Sequence, residues 1–378
     1  MKYYIIAGEA SGDLHGSNLM KAILRSDPQA EIRFWGGDLM QAVGGTMVKH
    51  IRELAFMGFV EVVANLRTVL KNIALCKKDI SDFRPDAVIF IDYPGFNLKI
   101  AEYTHTQGFK NFYYISPQVW AWKKGRIKTM RKVLDKMYVI LPFEKPFYDR
   151  YNVENVEFVG HPLLDAVAEF EKNTQLADDF RSRNSLDERP IVALMPGSRK
   201  MELRKMMPDM CHLAAQHPEY QFVIAGMKLL GNQMYTPYIH SDNVSIVYDQ
   251  TYPLLQASFA GVITSGTATL EGALFNLPLV VCYKANPITV FIAKRFAKVN
   301  YISLVNLIAD KPVVKELIQN DLNINSLETE FHKITVDEDY RRNLFKEYDS
   351  IKKMLGGEGV SQRAVNSILE TLKKTADA

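Results

Sequence analysis

The sequence predicts an α/β protein of two doubly wound parallel-sheet domains facing a central cleft, and three observations carry that prediction. Short apolar runs of strand length alternate with helical patterns almost from end to end, as in β-α-β units whose sheet is covered on both faces. The series occurs twice, interrupted at 169–189 by a polar stretch without strand signal. The chain has 378 residues, enough for two domains at roughly 100–200 residues each. The expected division is 1–168 and 169–378, with a hinge near Gly160-His161-Pro162 and last helices that close the second domain or pack back on the first or on a partner.

In the first half, strands are expected at 3–8, 32–36, 87–92, 111–116, 137–141 and 156–160. In the second half they are expected at 191–196, 221–225, 244–248, 260–264 and 279–283. Each is rich in β-branched or aromatic residues, and several close on Gly, Asp, Ser or Pro, which favour turns. From about residue 313 the pattern is helical and charged, with no further strand of note. Open sheets of this kind bind ligands beyond the carboxyl ends of their strands, so the turns there are the candidate site.

Composition narrows the class. Lys and Arg total 46 against 43 Asp and Glu, a net charge of +3, with 47% hydrophobic and 24% charged residues. That excludes a disordered chain, a collagen and a strongly basic nucleic-acid coat protein. Cys76, Cys211 and Cys282 lie far apart and suggest neither a disulfide framework nor a zinc site, which fits a reducing compartment. Residues 1–13 lack the layout of a secretion signal, and no window approaches the roughly 18 unbroken apolar residues of a spanning helix. The expectation is a cytosolic protein that can still lie on a membrane.

The first strand runs into Gly8-Glu9-Ala10-Ser11-Gly12-Asp13, with a helix expected from about Leu14. No G-x-G-x-x-G is present, and the second strand ends in Gly36-Gly37 rather than in an acidic residue, which disfavours a nicotinamide enzyme. The glycines serve either a ligand or a sharp reversal of the chain; Glu9 and Asp13 add carboxylates at the strand end. The segment Thr264-Ser265-Gly266-Thr267-Ala268-Thr269-Leu270-Glu271 follows an apolar strand and opens a helix. Unpaired amides, hydroxyl side chains and the positive helix end converge there, a seat for a diphosphate. Glu271, expected on the first helical turn, could hold two ribose hydroxyls. The alternative is an ordinary cap. Arg199, in Pro196-Gly197-Ser198-Arg199, adds a forked cation suited to phosphate oxygens without a metal. No cofactor is implied.

Asp92 follows an apolar strand and precedes Pro94-Gly95, a placement for a general base; capping of the next helix is the alternative. His15 and His161 are rival bases by residue type. Two surface stretches stand out. Phe59, Val62, Val63, Leu66, Val69, Leu70 and Ile73 follow helical spacing, either as a core face or, with Arg67, Lys71, Lys77 and Lys78 beside them, as a helix lying in a membrane interface. Residues 120–132 hold six basic residues and no acidic one next to Trp120 and Trp122. Lys123, Lys124 and Arg126 there suit anionic headgroups or a phosphorylated acceptor, the other reading being a solvated helix face. Nucleic acid is the weaker partner, since no recognition motif is present.

The motifs AGEASGD at 7–13, FMG at 56–58 with Glu61-Val62, IDYPGFN at 91–97, SPQVWAW at 116–122, LPFE at 141–144, FVGHP at 158–162, PGSR at 196–199 and SGTATLE at 265–271 occur in an order that resembles the lipid-A-disaccharide synthase family over nearly the whole chain. The resemblance implies two Rossmann-like domains of the GT-B type and an inverting glycosyl transfer. The donor would be UDP-2,3-diacylglucosamine, the acceptor 2,3-diacylglucosamine 1-phosphate, and the product a β-1,6-linked disaccharide 1-phosphate with UDP. It implies an enzyme peripheral to the cytoplasmic face of the inner membrane of a Gram-negative bacterium; some members are homodimers that exchange carboxyl-terminal elements. Asp92 would then be the base for the acceptor's 6-hydroxyl, with Glu9 supporting it; Arg199, Ser265, Gly266 and Thr267 would hold the diphosphate, Glu271 the ribose, and Asn306 would line the nucleotide site. Many relatives carry a second aspartate where this chain has Gly95, which leaves Asp92 without a carboxylate partner in that motif. Other UDP-sugar enzymes of the same fold, a peptidoglycan transferase or a 2-epimerase, and a non-catalytic lipid or nucleotide-sugar binder remain the alternatives.

Overall fold

The computed structural model describes residues 1–54, 66–121, 124–172, 179–285 and 300–376. In chain order the elements are β1 (Lys2–Ala7), α1 (Ala10–Ser26), β2 (Glu31–Gly36), α2 (Asp38–Val43), β3 (Thr46–His50), α3 (Leu66–Phe83), β4 (Ala87–Ile91), α4 (Pro94–Thr106), β5 (Lys110–Tyr114), α5 (Arg126–Val133), β6 (Lys136–Val139), α6 (Glu144–Asp149) and β7 (Val156–Phe158). Then follow α7 (Leu163–Glu171), α8 (Phe180–Arg183), β8 (Ile191–Met195), α9 (Lys200–Gln216), β9 (Gln221–Gly226), β10 (Val244–Tyr248), α10 (Thr251–Ala257), β11 (Ser258–Thr264), α11 (Thr267–Leu274), β12 (Leu279–Tyr283), α12 (Leu304–Ala309), β13 (Glu316–Ile318), α13 (Ile324–Thr335), α14 (Glu338–Met354) and α15 (Val360–Ala376).

The chain forms two compact units, residues 1–165 with 355–378 and residues 166–354. The second unit therefore closes at Met354 and not at the chain end, because α15 belongs to the first. Its Val360, Ala364, Val365, Ile368 and Leu372 share one core with Leu19, Met20 and Ile23 of α1. The Asp165 carboxylate caps that helix, accepting from the backbone N–H of Gly359 (2.6 Å), Val360 (3.0 Å) and Ser361 (2.9 Å).

The first unit holds a parallel sheet of order β3-β2-β1-β4-β5-β6-β7, the second one of order β10-β9-β8-β11-β12-β13. Strands buried on both faces explain the unbroken apolar runs. Tyr4 and Ile6 of β1 pack with Trp35 and Phe90 on one face, while Tyr3, Ile5 and Ala7 pack with Phe34 and Ile91 on the other. Each sheet reverses its winding once, between β1 and β4 and between β8 and β11. The strands in register there are Ala7 with Ile91 and Ile263 with Met195. At such a switch point adjacent loops diverge and leave a crevice.

Two strands depart from the sequence expectation. β3 pairs with β2, and β13 pairs with β12 inside the region expected to be only helical. Both are short edge strands; β3 has no fully buried residue and β13 buries Leu317 alone, so neither has an apolar run to announce it. Among the described residues no helix is long and apolar enough to cross a membrane.

Candidate functional site

In the first unit, the turn after β1 is shorter than expected, because α1 begins at Ala10 and takes in Ser11, Gly12 and Asp13. Glu9 sits at the helix N-cap, half-buried, with no side-chain capping bond. Asp13 turns the other way. Its carboxylate accepts from the N–H groups of Gly37 (2.7 Å), Leu39 (3.0 Å) and Met40 (3.0 Å), which caps α2 and removes Asp13 from ligand chemistry.

Asp92 stands beside this turn, just past the end of β4. Asp92 and Tyr93 both have left-handed backbone, φ 43° and 49°, and Pro94 opens α4. A Cβ on Gly8 would lie 2.3 Å from the Tyr93 ring, so the β1 turn needs glycine to admit that ring. Burial first, and then the charge of Glu9, push the Asp92 carboxyl up to about 6. The rival bases fall away. His15 and His161 are both buried; burial lowers His15 to about 4, and burial together with His15 lowers His161 to about 3. His161 Nδ1 accepts from the Leu163 N–H at 3.2 Å.

The motif around Trp120 closes on itself. Trp120 Nε1 donates to Glu144 Oε1 (3.1 Å), and its ring meets Phe143 edge-on at 4.9 Å. Glu144 Oε2 accepts from the N–H groups of Ile140 (3.0 Å) and Leu141 (2.9 Å), and burial pushes this carboxyl up to about 7. Trp120 thus joins the loop after β5 to the end of β6, which leaves its indole N–H no freedom to reach a headgroup. Lys124 is exposed, its Nζ 5.7 Å above the Phe147 ring and 6.0 Å from Tyr151, and the half-buried Arg126 opens α5. Trp122 and Lys123 lie outside the described residues.

The helix of the apolar stripe divides between two roles. Phe59 and the side chain of Leu66 lie outside what is described. Ile73 is buried and Val69 packs against the same core, together with Cys76 and Ile80. Leu70 and Leu75, by contrast, are 54% and 42% exposed, near the exposed Arg67, Lys71 and Lys78.

In the second unit, the ends of β8 and β11 lie side by side. Gly197 has φ 104°, and Glu202 Oε2 accepts from the N–H groups of Ser198 (3.1 Å) and Arg199 (3.3 Å), holding the turn. The Arg199 guanidinium is 62% exposed and 3.7 Å from Glu202 Oε1. At the end of β11, Gly266 has φ 152° and is the N-cap of α11, with no side-chain capping bond. The ordinary-cap alternative is therefore not what the chain adopts: Ser265 Oγ donates instead to the Ile302 carbonyl at 2.8 Å. The first amides of α11 are left without a side-chain cap, at a turn where Gly266 and Thr267 are exposed. Glu271 lies one turn further in than expected, since α11 begins at Thr267. Tyr252 Oη donates to its Oε1 (3.3 Å), and burial pushes the carboxyl up to about 6.

Asn306 is buried and fully engaged. Its Nδ2 donates to the Val314 carbonyl and to Glu316 Oε1, each at 2.9 Å, and its Oδ1 accepts from the Val314 N–H at 2.9 Å. Glu316 is the residue that sequence reasoning missed. Its Oε1 also accepts from Ser303 N (2.9 Å) and Ser303 Oγ (2.7 Å), and its Oε2 from Ile302 N (3.0 Å). The chain therefore runs from Asn306 through Glu316 to Ile302 and so to Ser265. No motif announced it, because Glu316 lies outside the 302–306 stretch that it holds, and Ser265 lies in a third segment.

A family model described as lipid-A-disaccharide synthetase matches residues 3–371. Lipid-A-disaccharide synthase of Geobacter sulfurreducens is 37% identical over 377 residues, covering 98% of this chain and 97% of its own. That of Syntrophus aciditrophicus is 38% identical over 380 residues, with 98% of each covered. Among solved structures, UDP-GlcNAc 2-epimerase from Neisseria meningitidis bound to UDP-GlcNAc superposes with TM-score 0.65 at 14% identity, covering 99% of this chain and all of its own. The calicheamicin glycosyltransferase CalG4 does so with TM-score 0.62 at 14% identity, covering 99% of each. At such identity these likenesses establish the fold, which is GT-B.

Proposed function

Because this chain belongs to the lipid-A-disaccharide synthase family, we propose that it joins UDP-2,3-diacylglucosamine to 2,3-diacylglucosamine 1-phosphate, with inversion, giving the β-1,6-linked disaccharide 1-phosphate and UDP. The observation that carries the reading is the content of the two switch points: a raised carboxyl at one, and amides without a side-chain cap beside a largely exposed guanidinium at the other. Asp92 takes the proton of the acceptor's 6-hydroxyl as that oxygen attacks the anomeric carbon of the donor. The bond to UDP breaks on the opposite face. Charge developing on the diphosphate meets the amides of Gly266 and Thr267 and the Arg199 fork, donors already in place before the bond breaks. Ser265 shapes that turn, Glu271 accepts from the ribose hydroxyls, and Asn306 acts behind the site by holding Glu316. Glu9 keeps the Asp92 carboxyl in a range where it gains a proton readily.

Purified protein incubated with the acylated donor and acceptor should release UDP and form the disaccharide. Release from UDP-N-acetylglucosamine at an equal rate, or epimerisation of it, would sink the reading. Arg199→Ala should weaken UDP binding by about tenfold, the loss of one charge-assisted contact. An unchanged UDP titration would remove that residue from the site.

The acceptor phosphate and lipid headgroups are assigned to Lys124 and Arg126, and membrane contact at the cytoplasmic face of the inner membrane to α3. The exposed Leu70 and Leu75 are the anchors there; Val69 and Ile73 serve the core. Leu70→Ser with Leu75→Ser should therefore release protein from anionic vesicles at unchanged melting temperature, as measured by co-sedimentation. Retained sedimentation would place the membrane face elsewhere.

A further inference from the structure

The peptide that presents Asp92 is in a conformation such residues avoid. Two successive non-glycine residues with φ near +45° are strained, and persist only where surrounding structure holds them. Here the holding groups can be named. The Asp92 carbonyl accepts from Tyr113 Oη at 2.5 Å and from Asn97 Nδ2 at 2.7 Å. Asn97 Nδ2 also reaches the carbonyls of Ile91 (3.3 Å) and Ile6 (3.4 Å), so it ties the turn to β1 and β4 together. Tyr113 and Asn97 are both fully buried. Beyond the carbonyl, the Tyr93 ring lies over Gly8 and stacks on Phe96 with centroids 5.5 Å apart.

We propose that Tyr113, with Asn97, is a positioning residue for the transfer reaction: its hydroxyl grips the Asp92 carbonyl and so fixes the direction in which the Asp92 carboxylate leaves the strand end. The inference rests on Asp92 being the base. Tyr113 lies on β5, one strand away, and reaches across because Phe90 of β4 pairs in register with it. The grip holds at every working pH. Burial, and next the Asp92 charge, keep the Tyr113 phenol well above its ordinary value of 10, so it remains a donor. Displacement of a reacting group by about 1 Å can cost on the order of 100-fold in rate, while binding of either substrate need not change.

The test is a double-mutant cycle. Tyr113→Phe should lower kcat by about 10- to 100-fold, with both KM values within about twofold and UDP titration and melting temperature unchanged. Placed in an Asp92→Asn background, the same substitution should cause no further loss, since a clamp has nothing left to aim. Normal kcat in Tyr113→Phe, or an equal loss in the Asp92→Asn background, overturns the clamp and leaves the base assignment standing. Near-normal turnover in Asp92→Asn alone overturns both. If Tyr113→Phe does not fold, Asn97→Ser carries the same cycle. If neither folds, the pair is a folding element and the proposal is wrong.

Discussion

Asp92→Asn is expected to lower turnover by about 100- to 10,000-fold, the usual contribution of a general base, while UDP binding and the fold survive. The pH profile gives an independent check on the same group. A base works only as the carboxylate, so kcat/KM should fall as pH drops through about 6, where the half-buried Asp92 titrates, and not near its ordinary 3.8. Glu9→Gln removes the neighbouring charge and should move that limb toward lower pH. A profile flat down to pH 5 would dispose of the assignment. Stability should move opposite to activity. A carboxyl whose value rises on folding is disfavoured as an anion in the native state; the cost is absent below about pH 4, grows between about 4 and 6, and is complete above 6. Asp92→Asn should therefore melt at a higher temperature than the parent at pH 8, by the equivalent of about 1 kcal/mol after solvent screening, and at the same temperature at pH 4.

Glu316→Ala is the second large effect expected. It strands four donors, on Ile302 N, Ser303 N, Ser303 Oγ and Asn306 Nδ2, which now share one half-buried carboxylate. Orphaning such groups costs about 1–3 kcal/mol each where water cannot replace the partner; with partial exposure a total of about 3 kcal/mol is expected from chemical denaturation. Because Ser265 Oγ is held by the Ile302 carbonyl, UDP affinity should fall with it, although Glu316 is not placed in contact with nucleotide. Stability lost without any change in UDP titration would separate Glu316 from the site.

Much of this molecule was readable before its coordinates. Buried parallel strands are apolar on both faces, so eleven of them were visible as runs, and the turns that follow them carried Asp92, Arg199 and Ser265. The edge strands β3 and β13 were not visible, because three to five mostly half-buried residues leave no period to detect. The partners of Asp13 and Asn306 were not legible for a related reason. A polar residue in a motif looks alike whether it meets a ligand or satisfies backbone elsewhere, and only the distances to Gly37 and to Val314 tell which. Glu144 stands in the LPFE motif, yet its bond to Trp120 joins residues 24 apart in the chain.

The amino-acid pattern alone determined the alternation of strand and helix, its twofold occurrence and the residue types at each strand end, because these depend on local periodicity and on which residues tolerate a turn. Tertiary structure decided which of those side chains remain free. Hydrogen bonds to backbone and side chains elsewhere in the fold consume Asp13, Trp120 and Asn306, while the Arg199 guanidinium stays largely exposed beside Glu202 and the first amides of α11 have no side-chain cap. The aim of Asp92 was likewise decided there, since a left-handed peptide is held by groups from β5 and α4 that sequence proximity does not bring together.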